Sequence, residues 1–233
     1  MSNIPARLEE IHARIAAAAT RSGRDPAGVT LVAVSKTHPA ETVREAFDAG
    51  QRVFGENRVQ ELVAKAPLLP SAARWHLIGH LQKNKIRKVL PLTELIHGVD
   101  SLELAQDIDR IAAELGLFPK ILIEVNVSGE KTKFGFSPEA ARAQAAALLA
   151  LPRVQWEGLM TIAPIVEKPE DARPFFAALR QLRDELATEN RTPLPVLSMG
   201  MSGDYETAIA EGATHVRVGT AIFGSRPKAA AAG

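Results

Sequence analysis

TLVAVSKTHPAETVREAFDAGQRVFGEN, Thr30 to Asn57, reads as a strand, a crossover helix and a second strand. TLVAVSK (Thr30 to Lys36) and RVFGEN (Arg52 to Asn57) are short, apolar, β-rich runs, and the segment between them is helix-like. Strands joined through a helix of that length lie parallel, whereas antiparallel neighbours need only a tight turn. The unit recurs downstream as RWHLIGH (Arg74 to His80), LIHGVD (Leu95 to Asp100) and KILIEVNV (Lys120 to Val127). VQWEGLMTI (Val154 to Ile162), PVLSMGMSG (Pro195 to Gly203) and HVRVGTAIFG (His215 to Gly224) complete eight runs. Eight such units without a break in composition favour an α/β fold closed into a single (β/α)8 TIM barrel. An open doubly wound sheet is the alternative that periodicity leaves standing.

Outside the strands, the punctuation agrees. Ile4, Leu8, Ile11 and Ile15 recur at helical spacing, so residues 1–22 are expected to form an extra N-terminal amphipathic helix. Ser101 precedes LELAQDIDRIAAELG as an N-cap with Gly116 as the stop, and Ser137-Pro138 opens EAARAQAAALLAL. No linker or sequence repeat stands out. The reading is therefore one domain over 1–233, with the barrel at 30–224 and a small-residue tail at 225–233 that frays.

Composition narrows the function. The 233 residues carry a formal charge of +1 and no cysteine. A near-balanced charge gives no general attraction to nucleic acid or an anionic membrane. The missing cysteines exclude disulfides and thiolate chemistry. No run approaches a membrane span, and Glu9 and Glu10 sit where a secretory or transit signal would avoid acids, so the cytoplasm is the default. No long exposed apolar stripe demands a partner, and a monomer is expected.

In a barrel of this kind, the chemistry gathers where the strands end. VAVSK puts Lys36 at the mouth, where partial desolvation favours the neutral amine that attacks a carbonyl. Taken alone, it reads equally as a solvated strand-end lysine. Ser202-Gly203-Asp204 forms a small-residue turn between the seventh strand and a helix, and Gly219-Thr220 lies at the eighth strand. Turns of this kind present N–H groups to a phosphate, although a plain N-cap explains Ser202 as well. Arg217, between Val216 and Val218, points to the opposite face of its strand, as a partner for a ring nitrogen or as half of an ion pair. A lysine for an aldehyde, N–H groups for a phosphate and a cation for a ring nitrogen together describe pyridoxal 5′-phosphate.

VAVSKTHP, FGENRVQE, WHLIGHLQKNK, EVNVSGEKTKFGF, GLMTIAP and LSMGMSGDYETAIAEGATHVRVGTAIFG extend this reading. In this order, from about Val32 to Gly224, they resemble the pyridoxal phosphate homeostasis protein family, the YggS/PROSC type related to the alanine racemase N-terminal barrel. The resemblance implies a fold-type III barrel with Lys36 as the Schiff-base lysine and Asn57 near the cofactor ring. It implies a phosphate cradle of Ser202, Gly203, Gly219 and Thr220, with Arg217 on the pyridine nitrogen and Met199 and Met201 lining the pocket. It also implies a protein of vitamin B6 homeostasis that buffers or carries the cofactor, meets apo-enzymes transiently and is not an enzyme.

A small racemase is the main alternative. Racemisation needs an acid–base group on each face of the substrate carbon. The barrel-only length leaves no room for the domain that supplies the second group in related racemases, and Tyr205, the sole tyrosine, lies in the phosphate turn. A Schiff-base aldolase without the cofactor would also use a lysine and a phosphate cradle, but not Arg217.

Three other features receive no function. His76, Ile78 and His80 share a face, yet two histidines without a third ligand do not make a zinc site. QKNKIRK (Gln82 to Lys88) reads as a solvated helix face without an aromatic platform for nucleic acid. Glu124, Asn126 and Ser128 would alternate on one face of the fifth strand, either toward the pocket or as structural hydrogen-bonders.

Overall fold

The computed structural model describes residues 3–130 and 133–224. The expected tail at 225–233, like Met1 and Ser2 of the N-terminal helix, lies outside the described residues. The chain begins with α1 (Ile4–Arg21) and then alternates β1 (Thr30–Val34), α2 (Ala40–Asp48), β2 (Val53–Glu56), α3 (Val59–Lys65) and β3 (Arg74–Leu77). Next come α4 (Ile86–Val89), β4 (Leu95–Val99), α5 (Leu102–Leu115), β5 (Lys120–Glu124), α6 (Pro138–Leu149) and β6 (Gln155–Met160). The last units are α7 (Arg173–Glu189), β7 (Val196–Met201), α8 (Tyr205–Ala210), β8 (His215–Val218) and α9 (Thr220–Phe223).

The strands pair in sequence order, each pair parallel, and β8 closes on β1. This closure removes the open-sheet alternative. Strand alternation then divides the core. Leu31, Ala33, Phe54, Val216 and Val218 pack outward against the helices, while Val32, Val34, Val53 and Ile78 meet inside the barrel. A second interior cluster joins Leu95, Leu122 and Met160. The helices close where the sequence indicates: Ser101 Oγ accepts from the Leu104 N–H, Gly116 ends α5 in the left-handed region, and Ser137 Oγ caps α6 ahead of Pro138.

α1 buries Ile4, Leu8, Ile11 and Ile15 against the elements that close the barrel. Arg24 donates to Ile209 O at 2.7 Å at the end of α8, and Arg7 donates to Ile222 O at 3.3 Å within α9. Gln82 to Lys88, expected as one helix, is a 3₁₀ turn at Lys83–Lys85 that runs into the short α4.

The strands stop earlier than the apolar runs do. Once a chain leaves the ladder its apolar residues can still be buried in loops, so hydrophobicity outlasts hydrogen bonding. Asn126 and Ser128 accordingly lie beyond β5, and the expected strand face is a local turn: Asn126 Oδ1 accepts from Ser128 Oγ at 3.1 Å and from Gly129 N at 3.0 Å. Within HVRVGTAIFG, the segment after Gly219 is helical.

One expectation about the pocket fails. Alternation alone would give Met199 and Met201 the same face. However, the register of β7 on β8 shifts between Ser198 and Met201, and Gly200 lies there with φ +89°. Before the shift, Met199 shares the outward side with Leu197 and is 0% exposed in the sheet–helix core, so it does not line the pocket. After it, Met201 turns to the mouth.

Gly200 admits no side chain: an added Cβ would lie 2.6 Å from Ala208 Cβ and 2.9 Å from Tyr205 Cα, both in α8. Gly200→Ala should therefore cost at least about 2 kcal/mol through the left-handed φ and overpacking. Urea unfolding measures this, and a loss below about 0.5 kcal/mol would contradict the bulge account.

Candidate functional site

At the C-terminal mouth of the barrel lies a cavity of about 510 Å³. Lys36 enters it just past β1 and Asn57 just past β2. The turn after β7 contributes Met201, Ser202 and Gly203, and the closing strand contributes Arg217, Gly219 and Thr220. Eight of the nine residues singled out from the sequence thus share one cavity, Met199 being the exception. The two small-residue turns also touch directly, the Gly219 N–H donating to Ser202 Oγ at 3.3 Å. That is long beside the ~2.9 Å of a well-made N–H···O bond. The capping reading of Ser202 is not followed, since Asp204 precedes α8 and accepts from the Met201 N–H at 2.6 Å.

Other lining residues were less legible. His38 and Phe134 come from segments outside the strands and carry no periodic signal, and Ile162, the end of the sixth apolar run, lies just past β6. His80 and Glu124 do face the cavity. His80 Nδ1 lies 2.8 Å from Asp100 Oδ2, and its ring stacks on Phe134 with centroids 4.7 Å apart. Burial pushes the Glu124 carboxyl up, as does the nearby charge of Asp100, with Arg217 and His80 pulling the other way. His76 parts company with His80 and lies deep in the barrel. Among the described residues, no group of three or more His, Cys, Asp or Glu is placed to hold a metal ion.

Beneath the cavity, Arg217 is 4% exposed. It donates through Nη1 to Ser198 Oγ at 2.6 Å and through Nη2 to Thr161 O at 2.8 Å. Burial draws its guanidinium down to about 10, with Glu124 and Asp204 opposing, so it remains a cation at neutral pH. Ser198 Oγ lies 2.9 Å from His97 Nδ1, and His97 Nε2 lies 3.0 Å from His76 Nδ1.

A guanidinium only donates, so Ser198 Oγ accepts from it and can direct its own proton at His97 Nδ1. His97 then carries its proton on Nε2 and gives it to His76 Nδ1. The chain of donors thus runs one way, from Arg217 into the barrel. Sequence reading missed Ser198 and His97. The available signal was a polar residue at an inward position of an otherwise apolar strand.

Several known proteins resemble this chain in sequence and fold. The family model described as "Alanine racemase, N-terminal domain" matches residues 7–227. A pyridoxal phosphate homeostasis protein of Aquifex aeolicus (strain VF5) is 47% identical over 221 residues, covering 94% of this chain and 97% of the relative. The structure of PipY from Synechococcus elongatus PCC7942 with PLP bound is 45% identical, with a TM-score of 0.80. That match covers 92% of this chain and 100% of PipY. Alanine racemase of Clostridium difficile 630 has a TM-score of 0.75 at 17% identity, over 97% of this chain and 58% of the racemase. That last likeness is one of fold alone.

The interior histidines set a pH dependence. Burial holds His76 and His97 well below the ordinary imidazole range, and His215 falls to about 4. The unfolded chain protonates near pH ~6.5 and the native one lower, so stability is complete above that pH and lost as pH falls toward 4, at about 1.4 kcal/mol per pH unit for each such group. Glu56, Glu124 and Asp204, pushed up mainly by burial, act in the opposite direction from the ordinary carboxylate range upward, so their effect overlaps that of the histidines. The diagnostic quantity is therefore a difference. Urea unfolding between pH 7 and 5 should fall less steeply for His215→Asn than for the wild type, and parallel curves would refute a neutral His215.

Proposed function

The chain belongs to the pyridoxal phosphate homeostasis protein family, and on that footing we propose that it binds pyridoxal 5′-phosphate and holds it in reserve for other proteins. The observation that carries the reading is the convergence of Lys36, Arg217 and the touching turns at Ser202 and Gly219 on one cavity. The fit is chemical: an amine, a buried cation whose bonds go to neutral acceptors, and two small-residue turns suit an aldehyde, a ring nitrogen and a phosphate.

Lys36 is the residue that holds the cofactor covalently, as a Schiff base. When bound, the cofactor supplies an aldehyde that condenses reversibly with that amine and releases water, which stores a reactive carbonyl without consuming it. Ser202, Gly203, Gly219 and Thr220 take the phosphate, and Arg217 takes the pyridine nitrogen. Asn57 and Met201 flank the ring, and Met199 has no part. The same proposal has one cofactor-binding domain acting in the cytoplasm as a monomer, with apo-enzymes as transient partners.

Arg217 also supports storage over turnover. A guanidinium only donates, so it favours an unprotonated ring nitrogen and a weaker electron sink. Tyr205 is buried under the Arg14 guanidinium, 5.4 Å above its ring, away from the cavity. One observation favours a second reading, slow amino-acid turnover: His80, paired with Asp100, is an acid–base group lining the same cavity.

Two measurements test these readings. The purified protein should be yellow with the cofactor, lose that band in Lys36→Ala, and activate an apo-enzyme on mixing. A band unchanged in the variant removes Lys36 from its role. Incubation of the loaded protein with L-amino acids in D₂O should leave the α-hydrogens in place beyond the slow exchange given by free cofactor. Fast exchange abolished by His80→Gln would establish the second reading instead.

A further inference from the structure

Behind Lys36, on the outer side of the barrel wall, lies a buried cation that cofactor storage does not use. Lys65, the last residue of α3, has a side chain only 9% exposed. Its Nζ donates to Ser35 O at 2.9 Å, Glu56 Oε1 at 2.8 Å and Glu61 Oε2 at 2.9 Å. An ammonium has three donors, and all three are engaged. The two carboxylates reach further. Glu56 Oε1 accepts from Ser35 Oγ at 2.6 Å, and Glu61 Oε2 accepts from the Thr37 N–H at 2.7 Å. Both neighbours of Lys36 are therefore fastened to one cluster, Ser35 by its carbonyl and hydroxyl and Thr37 by its amide.

Strand parity explains why the fastening lies there. Leu31 and Ala33 face the helices and Val32 and Val34 face the interior, so Ser35 continues outward and Lys36 inward. The Ser35 N–H still donates to Gly55 O at 3.1 Å, extending the ladder by one residue. The chain then turns sharply at Thr37, which has φ +67°. For a β-branched residue that conformation is strained and persists only where its surroundings enforce it. The bond from Glu61 to the Thr37 amide is such an enforcement.

We propose that Lys65, Glu56 and Glu61 are positioning residues for Lys36, clamping the turn at 35–37 so that its amine enters the cavity. The clamp acts on covalent capture and not on the grip of the phosphate and ring nitrogen, whose proposed holders come from β7, β8 and the turns after them. This rests on the assignment of Lys36 made above.

The test compares two ligands, pyridoxal 5′-phosphate and pyridoxine 5′-phosphate, whose alcohol cannot condense with an amine. Glu61→Ala should weaken binding of the aldehyde about tenfold, the scale of one lost charge-assisted hydrogen bond. Binding of the alcohol should hold within about twofold. Glu61→Gln keeps an oxygen acceptor for the Thr37 amide and should recover most of the loss, and Lys65→Met should behave as Glu61→Ala or worse. Glu61 stands at the cluster's edge with its side chain 21% exposed, so its two variants decide the matter even if Lys65→Met does not fold. Equal losses for both ligands, or a loss for neither, overturns the clamp. Failure of the wild type to form a Lys36-dependent band overturns the Lys36 assignment instead, so the two failures are distinct.

Discussion

Closure of β8 on β1 is the constraint on which the site depends. The pairing of Thr30 with His215, Val32 with Arg217 and Ala33 with Val218 joins stretches far apart in sequence. Extended by a few residues, that register brings Lys36, Arg217, Gly219 and Thr220 to one cavity. An open sheet would place β1 and β8 apart, and the lysine would lose the turns that accompany it. Barrel closure thus does chemical work that no local motif could do.

Closure also creates a difficulty, since a small barrel must fill its interior with side chains. This chain does so partly with polar groups. His76, His97, His215, Ser198 and Arg217 occupy inward positions between the apolar clusters. The arrangement persists because Arg217, Ser198, His97 and His76 bond in sequence. Buried polar groups left unbonded would cost about 1–3 kcal/mol each, so these contacts stand or fall together.

How much of this was legible in the sequence follows from what each feature depends on. Strand order, the caps at Ser101 and Ser137, and the turns at Ser202 and Gly219 rest on local periodicity and turn chemistry, which sequence displays. Its two valine neighbours set Arg217 on the opposite face of its strand, but that this face is the interior follows only from the closed barrel, in which both valines pack outward. Sequence reading places Met199 in the pocket beside Met201, and it is not there, because a register shift at Gly200 reverses parity and no residue type announces such a shift unambiguously. Nor could Ser198 and His97 be joined to Arg217, since their bonds cross between β4, β7 and β8. The Lys65 cluster lay unread inside FGENRVQE and the helix after it, where each charge resembles a solvated helix face until the helix is docked.

Two buried cations near the mouth are treated in opposite ways, and the contrast bears on function. Lys65 is bonded to two carboxylates on the helix side of the wall, so its charge is spent locally on the Lys36 turn. Arg217 bonds to a hydroxyl and a carbonyl, neither of which cancels its charge. Glu124 and Asp204 stabilise it only from a distance, and with its guanidinium at about 10 the charge survives at neutral pH. A cation desolvated without a bonded counter-ion is costly, and a structure under selection for stability alone would pair or replace it. Its only partly compensated field at the cavity floor is a cost borne for an electron-rich ligand above it. A ring nitrogen with a free lone pair meets that description, as does the negative charge of a phosphate at the neighbouring turns, in keeping with the function proposed above.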